Sequence, residues 1–161
     1  MDQAPLHELF YGVTPIETIK SVKGLEYMQG ILSRVYPSPM MMKSLNFHLV
    51  HVEPGRADME GVPDERFYNP MGTVHGGYAA TLLDSCMGCA AHTTVPKGMG
   101  FTTLEIKINY SRPMSKDTGK VRAEGRVING GRQIITAEGR LVDASGKLYA
   151  HGTTTCLVFP L

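Results

Sequence analysis

A chain of 161 residues, 42% hydrophobic and 19% charged, is long enough to bury a full core as one domain. The formal net charge is +1, with both signs spread along the chain and no basic block or acidic tail, so nucleic acid is not the expected partner. No apolar run reaches the roughly eighteen residues a membrane span needs.

Three cysteines, an odd number, do not suggest a disulfide framework, and Met1-Asp2-Gln3-Ala4-Pro5 lacks the charged and apolar segments of a signal peptide. Both features predict a reduced, cytoplasmic protein. Residues 1–45 read as an N-terminal helical extension, and residues 46–161 as the main domain. Within the extension, Thr14-Pro15-Ile16-Glu17 predicts a helix capped by Thr14 with Pro15 at its first position. The helical pattern continues through Leu25, Met28, Ile31 and Leu32, weakened by Gly24 and Gly30, until Tyr36-Pro37-Ser38-Pro39 ends it. Met40-Met41-Met42 is expected to pack this extension onto the body, ahead of the alternative that it lines an acyl pocket.

From Asn46 the period changes to two. Phe47, Leu49 and His51 alternate with His48, Val50 and Val52 in a first strand, Pro54-Gly55 turns, and Arg56 to Val62 returns. A long helix is predicted from His75 to about His92, closed by Thr93-Thr94 and Pro96-Lys97-Gly98. In the next strand Leu104, Ile106, Ile108 and Tyr110 face one way, and Thr103, Glu105, Lys107 and Asn109 the other. Three more alternations follow: Val121 to Val127, Ile135 to Leu141 and Leu148 to Val158. Asn129-Gly130-Gly131 and Asp143-Ala144-Ser145-Gly146 form the turns between them. The predicted fold is α+β: a curved antiparallel sheet, with its last strands in a meander, wrapped around one long helix. A sheet that covers one helix leaves edges and a face needing cover, which predicts self-association.

The helix carries the chemistry. Across Val74 to Ala91, Asp84 is the only formal charge among small and apolar residues, the pattern of a helix buried on every face. A carboxylate there is costly unless something pairs with it, so a working role is expected. Gly76 opens the helix, where backbone N–H groups lack partners and the dipole is positive. Glycine also lets a substrate oxygen approach that N–H closely.

Asn69-Pro70-Met71-Gly72-Thr73-Val74-His75-Gly76-Gly77, continuing to Thr81-Leu82-Leu83-Asp84, resembles the hotdog-fold thioesterases of the phenylacetate-pathway (PaaI) type. Ile108-Asn109-Tyr110-Ser111-Arg112-Pro113, Gly119-Lys120-Val121 and Asn129-Gly130-Gly131-Arg132 extend the match, which spans about Asn69 to Val158. The resemblance implies hydrolysis of acyl-coenzyme A to coenzyme A and a carboxylic acid. It implies no metal or redox cofactor, coenzyme A being part of the substrate. By the same resemblance, Asp84 is nucleophile or general base and the Gly76 N–H polarises the thioester carbonyl. Asn69 positions water or substrate, His75 lies beside the oxyanion site, and Thr103 (or Thr102) lies near the water. Arg112 is the first choice to meet the coenzyme A phosphates, ahead of Lys107, Lys116, Arg122 and Arg132.

Spacing adds a constraint. Eight residues along one helix separate Gly76 from Asp84 by roughly 12 Å, too far for both to touch one tetrahedral centre. Asp84 of one chain must therefore work beside Gly76 of another, in a homodimer at minimum. The resemblance extends this to a homotetramer of two dimers. A hydroxyacyl-thioester dehydratase and a non-catalytic acyl-CoA binding module remain the alternatives. Cys86-Met87-Gly88-Cys89 with His92 is a weak redox or metal signal, because it lies mid-helix without a second CxxC. His48 and His51, on opposite faces of a regular strand, would make a poor chelate.

Overall fold

The computed structural model describes residues 9–161. The leader-peptide reading of Met1 to Pro5 falls outside those residues. Helices α1 (Ile16–Ser21), α2 (Gly24–Leu32) and α3 (Met40–Ser44) come first. Strands β1 (Phe47–Glu53) and β2 (Arg56–Gly61), helix α4 (Gly76–His92) and strands β3 (Met99–Tyr110), β4 (Val121–Gly130), β5 (Ile134–Asp143) and β6 (Leu148–Pro160) follow. All six strands form one antiparallel sheet in the order β1-β2-β4-β5-β6-β3. Only β4, β5 and β6 form the expected meander. Helix α4 carries the chain across the sheet, so β3 pairs with β6 at the far edge while β4 returns to pair with β2.

Helix α4 starts where His75 caps it and stops where the Thr93 and Thr94 hydroxyls donate to the Ala90 and Ala91 carbonyls. It packs against β2, β4 and β5, burying Leu82, Leu83, Cys86, Met87 and Ala90 completely. Contact is close because the strands carry glycine beneath it. A Cβ on Gly125 would overlap the Cys86 carbonyl and lie 2.8 Å from the Met87 nitrogen. Gly139, paired with Gly125 across β4 and β5, would bring a Cβ within 3.0 Å of Met87 Cγ. Burial is one-sided, against the expectation of a helix enclosed all round. Gly77 is exposed, and Ala80, Thr81, Asp84 and Ser85 are only partly covered, because one sheet cannot wrap the whole circumference.

Before Tyr36 the described part of the extension holds two helices where one was expected, with the break at Val22 and Lys23, and α3 adds a third after Pro39. Pro15, not Thr14, occupies the N-cap of α1, and Thr14 is buried, accepting a hydrogen bond from the Tyr27 hydroxyl at 3.1 Å. Gly24 opens α2 rather than weakening a longer helix. Its N–H donates to the Val95 carbonyl at 3.0 Å, and a Cβ there would overlap the His92 carbonyl. The start of α2 thus docks on the end of α4. Of the three consecutive methionines only Met42 is buried; Met40 and Met41 are exposed.

His92 joins the extension to the sheet, its ring 5.4 Å from the Tyr27 ring and 5.0 Å from the Phe101 ring. Burial lowers its pKa from 6.5 to about 4, so the folded chain keeps it neutral. The unfolded chain takes up that proton near its ordinary pKa. This contribution to stability is complete above about pH 6.5 and is lost as pH falls through 6.5 towards 4, by roughly 3 kcal/mol in total. Thermal melts at pH 7, 6, 5 and 4.5 are expected to fall steadily, and His92→Phe to flatten that slope. Equal slopes in both proteins would remove His92 as the cause.

Two of the sheet's bulges, in β1 and β3, change which of the singled-out side chains share a face. In β1 the register shifts between Leu49 and His51, so His48 pairs with Glu60 and His51 with Asp58. Since Glu60 and Asp58 share a face of β2, the two histidines share one as well, contrary to the strict alternation expected. The carboxylates opposite them are already engaged. Asp58 receives two hydrogen bonds from Arg56, at 3.1 and 2.8 Å, and Glu60 is held by Arg122 and Lys120.

Candidate active site

The second bulge builds the site. In β3 the register shifts between Thr103 and Glu105: Thr103 pairs with the fully buried Cys156, and Glu105 with Thr155. Leu104 is the extra residue and is 55% exposed. Thr103 was expected on the face of Glu105 and Lys107. The bulge turns it to the inner face instead, towards α4. There its hydroxyl donates to Asp84 Oδ1 at 3.0 Å. Asp84 is half-buried rather than enclosed, on the flank of α4 that its own sheet leaves open.

At the other end of the helix, His75 adopts an extended conformation, φ −59° and ψ 136°, and caps α4 with its side chain. Its Nδ1 accepts the Gly77 N–H at 2.8 Å, which places the ring proton on Nε2. The Gly77 donor is thereby spent. Gly76, as first residue of the helix, keeps an N–H with no acceptor among the described residues. That N–H belongs to a cleft of about 300 Å³ lined by Val74, Gly76, Ala79, Tyr110, Arg112, Met114 and Tyr149. The lining joins apolar walls to one cation. The exposed Arg112 is steadied there by a hydrogen bond from Nη1 to the Leu148 carbonyl at 2.7 Å.

Asn69 closes the loop before the helix. Its Oδ1 accepts the Met71 and Thr73 N–H groups at 2.9 and 3.3 Å, and its Nδ2 donates to the Thr73 hydroxyl at 3.0 Å. The His75 N–H donates to the Phe67 carbonyl at 2.7 Å, tying that loop to the helix start.

One chain therefore brings Gly76, His75 and Arg112 to one end of α4 and pairs Asp84 with Thr103 further along it. It does not bring the two groups together: neither Asp84 nor Thr103 lines the Gly76 cleft. Tyr110, which the sequence reading treated only as a strand residue, stands in that cleft. Its place at the end of an alternating strand carried no signal of this. The other cations considered earlier lie elsewhere, Lys116 being paired with Glu65 and Arg122 with Glu60. Burial pushes the Cys89 thiol up to about 12 and raises that of Cys86 as well, so both stay protonated, unlike reactive cysteines.

Comparison with known proteins gives the family. The thioesterase superfamily model matches residues 71–150. The proofreading thioesterase EntH of Klebsiella pneumoniae is 30% identical over 107 residues, covering 66% of this chain and 77% of that protein. Acyl-coenzyme A thioesterase 13 of Homo sapiens is 30% identical over 123 residues, covering 71% of this chain and 86% of that protein. Among solved structures, a phenylacetic acid degradation-related protein of Ralstonia eutropha JMP134 superimposes with a TM-score of 0.74 at 28% identity, covering 81% of this chain and 98% of that one. The sheet wrapped on α4, the free Gly76 N–H and these relatives lead to one assignment: the chain belongs to the thioesterase superfamily, as a hotdog-fold member of the phenylacetate-pathway type.

Proposed function

We propose that two copies of this chain share each active site and hydrolyse acyl-coenzyme A there, Asp84 of one copy working across from Gly76 of the other. The separation of the Gly76 cleft from the Asp84–Thr103 pair within one chain carries this reading. Edge strand β3, with Leu104 and Tyr110 more than half exposed, and the open flank of α4 offer a surface for the second copy. Pairing of two such dimers gives the tetramer the resemblance implies.

In this mechanism the thioester oxygen accepts a hydrogen bond from the Gly76 N–H. Such a donor contributes roughly 3 kcal/mol where negative charge develops. Asp84 takes a proton from water as the water attacks the carbonyl carbon and passes it to the departing sulfur, or attacks that carbon itself, giving a mixed anhydride that water then hydrolyses to the acid, returning the carboxylate. The Thr103 hydroxyl keeps the carboxylate aimed. The tetrahedral intermediate collapses, the carbon–sulfur bond breaks, and the coenzyme A thiol leaves with a proton. Asn69 holds the loop that presents His75 and Gly76, and Arg112 meets the coenzyme A phosphates. No metal or redox cofactor takes part. Protonated, buried cysteines suit a reducing cytoplasm. The His75 ring has Nδ1 committed to Gly77 and a proton on Nε2, so it has no free nitrogen to act as a dehydratase base.

Complementation tests the shared site. Gly76→Pro removes the N–H, at a first-turn position where proline suits a helix and after a residue already extended, and its ring also presses on Tyr110, which lies 3.2 Å from a Cβ there. Asp84→Asn removes the carboxylate. Each variant alone is expected to be nearly inactive against a panel of acyl-CoA thioesters, followed by free-thiol release. Their mixed dimer is expected to regain about half of wild-type activity, because one of its two sites carries both native groups. An inactive mixed dimer would show that both groups act within one chain.

A further inference from the structure

Tyr110, the last residue of β3, stands against Gly76. A Cβ on Gly76 would lie 3.2 Å from Tyr110 Cε1 and Cζ and 3.4 Å from its hydroxyl oxygen. Covalent geometry places any Cβ about 2.5 Å from its own backbone nitrogen. The Gly76 nitrogen and the Tyr110 hydroxyl oxygen are therefore at most about 6 Å apart. Two donors within that distance can both reach one oxygen at about 3 Å. Both line the same cleft, and the Tyr110 hydroxyl makes no hydrogen bond among the described residues, with the residue 56% exposed.

An oxyanion also needs more than one donor. The next N–H along the helix, that of Gly77, already belongs to His75 Nδ1 and cannot serve. Arg112, in the same cleft, is directed by its bond to the Leu148 carbonyl. The Ser111 hydroxyl also lines the cleft, but the atoms nearest a Cβ on Gly76 all belong to Tyr110, so the phenol is the neutral donor packed beside it.

We infer that Tyr110 is a catalytic residue, the second donor of the oxyanion site, its phenolic O–H and the Gly76 N–H receiving the thioester oxygen together. The inference rests on the acyl-CoA hydrolysis reading above. Tyr110 keeps its proton throughout: it stabilises charge on the oxygen while water, Asp84 and the leaving thiol exchange protons among themselves. The ring, packed on Gly76, fixes the height of the hydroxyl above the N–H. The bulge at Leu104 sets the phase of β3 on both of its sides, aiming Thr103 at Asp84 before it and setting the face of Tyr110 after it.

Tyr110→Phe keeps the ring and deletes the donor. With the best acyl-CoA of the panel, kcat is expected to fall about 10- to 100-fold, with KM within about twofold and melting temperature unchanged. Tyr110→Leu is expected to match that kcat loss and also raise KM, because the wall of the cleft goes too. Wild-type kcat in Tyr110→Phe would overturn the inference. Infrared spectra give a reading independent of turnover. In Asp84→Asn, which holds substrate without consuming it, the bound thioester C=O stretch is expected to shift to lower frequency than in water. Much of that shift should be lost in Asp84→Asn/Tyr110→Phe, and an unchanged shift would also overturn the inference. If the wild-type protein hydrolyses no acyl-CoA, the failure lies with the hydrolase reading and is seen before any Tyr110 variant is made.

Discussion

Asp84→Asn is expected to lower acyl-CoA turnover by about 10²- to 10⁴-fold while the protein folds, associates and binds substrate normally. The magnitude is that of removing a positioned base or nucleophile. Asparagine is close to isosteric, and its side-chain oxygen can still accept the Thr103 hydroxyl that Asp84 Oδ1 accepts at 3.0 Å. The half-buried position on the open flank of α4 also spares the core from the change. Loss of activity would then report the missing charge rather than a disturbed helix. Steady-state kinetics by free-thiol release, beside a thermal melt and a sedimentation measurement, separates these effects. A variant within a few-fold of wild-type turnover would remove Asp84 from the chemistry and leave the Gly76 cleft to work with some other base.

Gly125→Ala is expected to destabilise the protein by about 3 kcal/mol or more, out of a total that for such a domain is roughly 5–15 kcal/mol. The added methyl would overlap the Cys86 carbonyl and press on the Met87 nitrogen at 2.8 Å. These are backbone atoms in the middle of α4, held by helix hydrogen bonds, and cannot swing aside as a side chain would. Gly146→Ala makes the natural control. Gly146 sits at φ +83° with nothing within 4 Å of a Cβ, so alanine there meets only the left-handed backbone cost of about 1–2 kcal/mol. Urea unfolding of both variants would measure the difference. Equal losses would mean that α4 can lift from the sheet at little cost, and that the glycines are not what sets its closeness.

Much of this molecule is legible in the chain. The alternation from Val121 to Val158 marks three strands, two of which carry small residues or glycine at central inward positions: Ala123, Gly125, Ala137 and Gly139. These are the positions over which α4 lies. His75-Gly76-Gly77 marks the helix start, and the Asn69 to Asp84 spacing points to the family. The features that were not legible involve a partner strand or a neighbouring element. Gly24 looked like a flaw in one long helix, because nothing local announces that the His92 carbonyl will sit against it. Tyr110 looked like one more alternating residue, because its neighbour Gly76 lies far back in the chain.

Local order, in the form of strand period, the span of α4 and the motif around Gly76 and Asp84, was determined by the sequence alone, since it depends on residues a few positions apart. The tertiary structure decided the rest. A bulge exists only where two strands pair out of step, and the one at Leu104 turns Thr103 from the outer face to Asp84. Strand order is likewise a property of pairing: the α4 crossover leaves β3 at the sheet edge, where Thr103 meets Asp84 and Tyr110 enters the Gly76 cleft.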